Sequence, residues 1–76
     1  MTRPEKRSLT LNGHRTSVSL EAEFWAAFRD LAARNRMPIN ALAAKIDAGR
    51  GADTGLATAI RLHVLRDLQE RMRKGG

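Results

Sequence analysis

The chain contains no cysteine, so neither a disulfide nor a thiolate metal site can hold it together. It has two histidines, His14 and His63, separated by most of the chain. No Ser-His-Asp set, paired carboxylates or metal-spaced cluster can be argued from the spacing, so catalysis, a metal and a cofactor are not expected. Tyrosine is missing, and Phe24, Trp25 and Phe28 are the whole aromatic complement. No apolar run reaches the length of a membrane span, and none of signal-peptide length follows the basic start. These absences lead to the expectation of a soluble, cytoplasmic protein with no membrane partner. Acidic residues are scarce as well: eight Asp and Glu stand against fourteen Lys and Arg, for a net charge of +6.

What remains is a small basic domain. Seventy-six residues make one domain, and a domain of this size buries only about 60% of its unfolded surface. Without disulfides or metal, association with a second copy is the common remedy. Only Lys6, Lys45 and Lys74 are lysines, so arginine carries most of the charge. Arginine suits bidentate pairing with phosphate or guanine, and the balance as a whole points to nucleic acid or another polyanion.

Residues 1–7 read as a flexible basic arm, in which Arg3, Lys6 and Arg7 can track a phosphate backbone. The single domain is expected over 8–76. Ser8-Leu9-Thr10-Leu11 alternates polar and apolar residues, Asn12-Gly13 is a favoured two-residue turn, and His14 opens a second alternating run to Leu20. Folded as a hairpin over 8–20, Leu11 faces His14, Thr10 faces Arg15 and Leu9 faces Thr16. Leu9, Leu11, Thr16, Val18 and Leu20 then share one face, and Thr10, Arg15, Ser17 and Ser19 the other. Even so paired, the second strand keeps an edge of unpaired backbone groups.

Three amphipathic helices follow. The first spans 21–35, with Glu21 and Glu23 in its first turn and Phe24, Phe28, Leu31 and Ala32 along one stripe. Trp25 lies beside that stripe. Asn35-Arg36-Met37-Pro38 breaks it, with Asn35 suited to a left-handed C-terminal position and Pro38 to the next first turn. The second helix, 38–48, buries Ile39, Leu42, Ala43 and Ile46. A glycine-bearing loop leads to the third, 56–73, whose Leu56, Ile60, Val64, Leu68 and Met72 recur every fourth residue. Asp53 or Thr54 is placed to cap it. The expected core, shared with a dimer interface, is Leu9, Leu11, Val18, Leu20, Phe24, Phe28, Leu31, Leu42, Ile46, Ile60, Val64 and Leu68.

The order strand, helix, short turn, helix resembles the ribbon-helix-helix family of bacterial transcriptional regulators. The resemblance rests on Arg15-Thr16-Ser17-Val18-Ser19-Leu20-Glu21, on Phe24 and Leu31, and on Met37-Pro38-Ile39-Asn40-Ala41-Leu42. Lys45-Ile46-Asp47-Ala48 and Ala59-Ile60-Arg61-Leu62-His63-Val64-Leu65 extend it to the variant with a third helix. The fold class implied is mainly α with a short β ribbon, in an intertwined homodimer with an additional C-terminal helix.

The resemblance also implies a function: sequence-specific binding of double-stranded DNA by an intersubunit ribbon in the major groove. Matched by position, Arg15, Ser17 and Ser19 would read base edges. The backbone at Ile39 and Asn40 would grip a phosphate. Four strands, with three spacings of about 4.8 Å between them, span roughly 14 Å, against a groove about 12 Å wide. A four-stranded sheet therefore fits badly unless its outer strands ride on the groove rims or peel away. The other reading is a protein-interaction or antitoxin-like module that holds its partner through the third helix or the sheet.

Overall fold

The structure, a computed structural model, describes residues 3–75. Two strands are followed by three helices: β1 (Glu5–Leu11), β2 (His14–Leu20), α1 (Ala22–Arg34), α2 (Ile39–Gly49) and α3 (Leu56–Gly75). Asn12 and Gly13 both have positive φ, 53° and 84°, as a tight two-residue hairpin turn requires. The strands pair antiparallel from Leu11↔His14 to Glu5↔Leu20. Leu9, Leu11, Val18 and Leu20 are buried, while Ser8, Thr10, Arg15, Ser17 and Ser19 are exposed, so the faces divide as the alternation predicts.

β1 begins earlier than expected. Glu5, Lys6 and Arg7, expected in a flexible arm, pair with Leu20, Ser19 and Val18. The alternation simply continues through them, and two contacts tie them down. Trp25 Nε1–H donates to the Glu5 carbonyl at 2.8 Å, and the Arg7 guanidinium lies 5.1 Å from the Trp25 ring centroid. A cation over an indole face contributes about 0.5–1 kcal/mol at an exposed site. Residues 1 and 2 of the expected arm, and residue 76 at the other end, lie outside the described residues.

The helices close over the apolar face of the hairpin. In α1 the stripe is rotated relative to the sequence reading. Trp25 is fully buried beside Phe28, with ring centroids 6.2 Å apart, whereas Phe24 is only half-buried at the margin of the core. Trp25, Phe28 and Ala32 lie at i, i+3 and i+7, which centres the buried arc on Trp25. α1 then ends in a left-handed turn, but at Arg36 (φ 55°) rather than at Asn35. Met37 N–H donates to the Ala32 carbonyl at 2.9 Å and Arg36 N–H to that of Ala33 at 3.0 Å. This is the doubly bonded helix stop usually built on glycine. Asn35 contributes its side chain instead, Nδ2 donating to the Leu31 carbonyl at 2.8 Å. Pro38 stands just outside α2, and its carbonyl accepts the Leu42 N–H at 3.1 Å.

α3 packs against α1, α2 and β2. Neither Asp53 nor Thr54 accepts at its start; the Gly55 carbonyl takes the Ala59 N–H at 3.0 Å. Ile60 and Val64 are buried, but Leu68, expected in the core, is 44% exposed, and Met72 is 69% exposed. Four residues turn a helix through about 400°, so an every-fourth-residue stripe drifts about 40° per step. After Ile60 and Val64 the drift carries Leu68 off the packed side. The neighbour also ends there, since Arg34, the last residue of α1, already bonds Asp67 at 2.9 Å.

Candidate nucleic-acid interface

The outward face of the hairpin is the most distinctive surface of the molecule. Three cross-strand pairs make it: Lys6 opposite Ser19, Ser8 opposite Ser17, and Thr10 opposite Arg15. All six residues are exposed. The face carries two cations at diagonal corners and no acid, because Glu5 belongs to the other side of the pleat. Between the cations lie four hydroxyls, each able to donate and to accept.

Which edge of the ribbon is open follows from the turn. In a two-residue hairpin the pair flanking the turn exchanges both backbone bonds, and bonded and non-bonded pairs then alternate. Leu11 and His14 flank the turn. The N–H and C=O groups of Arg15, Ser17 and Ser19 therefore point away from β1, along the outer edge of β2. Two side-chain bonds agree with this. Arg61 Nη2 donates to the Ser19 carbonyl at 3.3 Å, and on the β1 edge Thr10 N–H donates to Asn40 Oδ1 at 3.2 Å. Among the described residues, no side chain bonds the backbone edge at Arg15 and Ser17.

Glu21 anchors the far end of the ribbon. Arg61 grips its carboxylate with Nε at 2.9 Å from Oε1 and Nη2 at 3.1 Å from Oε2. The guanidinium also lies 5.8 Å from the Phe24 ring centroid. The hydrogen bonds from Arg61 hold the Glu21 carboxyl below its ordinary range, with help from its own backbone. Asp67 is lowered in the same way, chiefly by the hydrogen bond from Arg34 and further by Arg71.

The structure brings Arg15, Ser17 and Ser19 together as adjacent side chains of one face, and adds Lys6 from β1. Arg7 is not among them. One residue along the pleat, it points to the core side, covers Trp25 and pairs with Glu5 at 2.9 Å. Arg3 is exposed ahead of β1. At the α2 N-terminus, Ile39 is half-buried against the core and the Asn40 side chain is engaged with β1. The backbone N–H groups of the first helical residues remain free of helical partners, as at any helix start. Two contributors were missed from sequence: Ser8, which register with Ser17 identifies, and Arg61, which no local pattern could link to Glu21 forty residues earlier.

A strand hairpin packed on three helices, with a cationic hydroxyl-rich face turned outward, defines a small ribbon-and-helix domain. The chain belongs to the ribbon-helix-helix domain family, whose profile matches residues 4–68. Members of that family are generally DNA-binding transcription regulators, typically dimeric and without catalytic activity. No curated protein and no solved structure matches the chain. Among the described residues, no helix is long and apolar enough to cross a membrane.

Proposed function

We propose that this chain is a dimeric, sequence-specific DNA-binding regulator that reads the major groove with β2. The observation that carries the reading is the acid-free outward face of the hairpin, with Arg15, Ser17 and Ser19 aligned along it. Arg15 donates bidentately to a guanine edge, and the two serines adapt to either donors or acceptors. Antiparallel pairing of β2 with a second copy over its whole length puts Ser17 on the two-fold axis and Arg15 opposite the partner's Ser19. That register brings both open edges together and doubles the reading surface.

The hairpin decides how such a ribbon sits. The two central strands, about 4.8 Å apart, enter a groove about 12 Å wide. The outer β1 strands then lie over the rims, where Lys6 and Thr10 meet phosphate oxygens. Phosphate contacts position the protein, and the central residues supply sequence preference. The engaged side chain of Asn40 leaves any phosphate contact at α2 to its backbone N–H groups.

The test is binding to DNA selected from random sequence, at two salt concentrations. Arg15→Ala should cost about 1–3 kcal/mol against the preferred site and relax preference at one base pair. Lys6→Ala should weaken binding to all sequences alike and reduce the salt slope by about one unit. Unchanged affinity in both variants would overturn the reading.

A further inference from the structure

We propose that the groove between α2 and α3 is a binding site for a small organic anion, an apolar body carrying a carboxylate or phosphate. The groove has a volume of about 390 Å³, within the range of small-molecule sites. Apolar Ile46, Ala59 and Leu62 line it together with Lys45, His63 and Arg66. No acidic residue lines it.

The argument rests on which cations are already paired. α3 carries five: Arg61, Arg66, Arg71, Arg73 and Lys74. Arg61 is bound to Glu21, Arg71 to Asp67, and both Arg73 and Lys74 to Glu70. Among the described residues, Arg66 alone of the five has no ion pair or hydrogen bond. Lys45, the single cation of α2, is likewise unpaired, and so is the His63 imidazole. The three come from different turns and converge on one groove.

The surroundings favour an anion there. Arg50 also lines the groove but is spent on structure. Its Nε donates to Asp47 Oδ1 at 2.7 Å and its Nη1 to the Thr54 carbonyl at 2.7 Å, which pins the loop forming one wall. Lys45 and Arg66 together bring two full charges, against the Asp53 carboxylate beside Gly51 and the partial negative charge of about one half at the α2 C-terminus. Anion attraction wins. The site is also separate from the ribbon face. Asn40, at the start of α2, touches β1, while the groove is lined by Lys45, Ile46 and Gly49, about 8 to 14 Å further along that helix.

Amide chemical-shift titration of ¹⁵N-labelled protein tests this with phenyl phosphate and phenylacetate as anionic probes and benzyl alcohol as the neutral one. Both anions should give saturable shifts confined to Lys45, residues 49–54 and residues 59–66, and benzyl alcohol should bind at least several-fold more weakly. Arg66→Ala and Lys45→Ala, both exposed and both checked for folding by circular dichroism, should each weaken anion binding about tenfold, as the loss of one charge-assisted contact implies. Non-saturating shifts, equal response to benzyl alcohol, or unaltered binding in both variants would overturn the proposal. So would a short DNA duplex that shifts these residues in place of the β2 residues, since the groove would then be a phosphate-backbone surface.

Discussion

Arg61 Nε and Glu21 Oε1 meet at 2.9 Å across forty residues of chain, at the point where β2 passes into α1. The same guanidinium reaches the Ser19 carbonyl. One side chain of α3 thus holds the end of the ribbon. Glu21→Gln should keep the shape but weaken the grip, lowering the denaturation midpoint at neutral pH.

Acid should act on the same contact. The folded-state pKa values of Glu21 and Asp67 lie below their ordinary values. The unfolded chain therefore takes up protons first as pH falls. Each group contributes stability that is fully present above its unfolded pKa and is lost as pH falls through its depressed folded value. Denaturation midpoints measured from pH 7 down to pH 3 should fall more steeply for the parent than for Glu21→Gln. Parallel curves would show that the Arg61 pairing has no share in acid sensitivity.

The stop at the end of α1 offers a stabilising change. Arg36 holds a left-handed conformation that costs a side-chain-bearing residue about 1–2 kcal/mol. Glycine removes that strain but adds unfolded-state freedom worth about 0.4–1 kcal/mol. Arg36→Gly should therefore raise stability by a net amount of up to about 1 kcal/mol, read by urea denaturation. A destabilised variant would mean that the Arg36 side chain contributes more than its backbone costs.

Two positions of one stripe should part company. Ile60 is fully buried, so Ile60→Ala should cost about 2–5 kcal/mol. Leu68 is 44% exposed, and Leu68→Ala should cost under about 1 kcal/mol in the single chain, because little apolar area is lost. A cost at Leu68 that grows with protein concentration would show that a second copy covers the outer face of α3.

The absence of cysteine makes pairing across β2 easy to measure. Residues that exchange backbone bonds in an antiparallel pair have Cα atoms about 5.5 Å apart, within disulfide range. Ser17→Cys, oxidised, should run at twice the 8.4 kDa of the chain. Ser8→Cys, on the outer strand, should not. A Ser17→Cys protein that stays single under oxidation would exclude pairing centred on Ser17.

The parts legible in sequence were those written in local chemistry. Asn12-Gly13 and the flanking alternation specify the hairpin register and its two faces, because the turn type and the period of two admit one solution. Helix positions followed from apolar spacing. What failed depended on partners distant in sequence. Glu5, Lys6 and Arg7 look like an arm until Trp25 is seen to donate to the Glu5 carbonyl and to lie beneath Arg7. Leu68 looks buried until α1 runs out beside it. The same holds for the site. Arg15, Ser17 and Ser19 share a face by alternation alone, whereas the pairings of Asn40 with Thr10 and of Arg61 with Glu21 exist only once the helices have docked.

Because β1 holds β2 from within the same chain, the outer edge of β2 is extended and oriented before anything meets it. A free strand would lose backbone entropy of about 1–2 kcal/mol per residue on being straightened. Here most of that loss is borne during folding, by neighbours joined through a two-residue turn. The proposed pairing with a second strand would then be an encounter of rigid surfaces, limited by alignment more than by ordering. Turn substitutions at Asn12 and Gly13, just beyond the end of the proposed pairing, should consequently slow association while leaving the dissociation rate nearly unchanged.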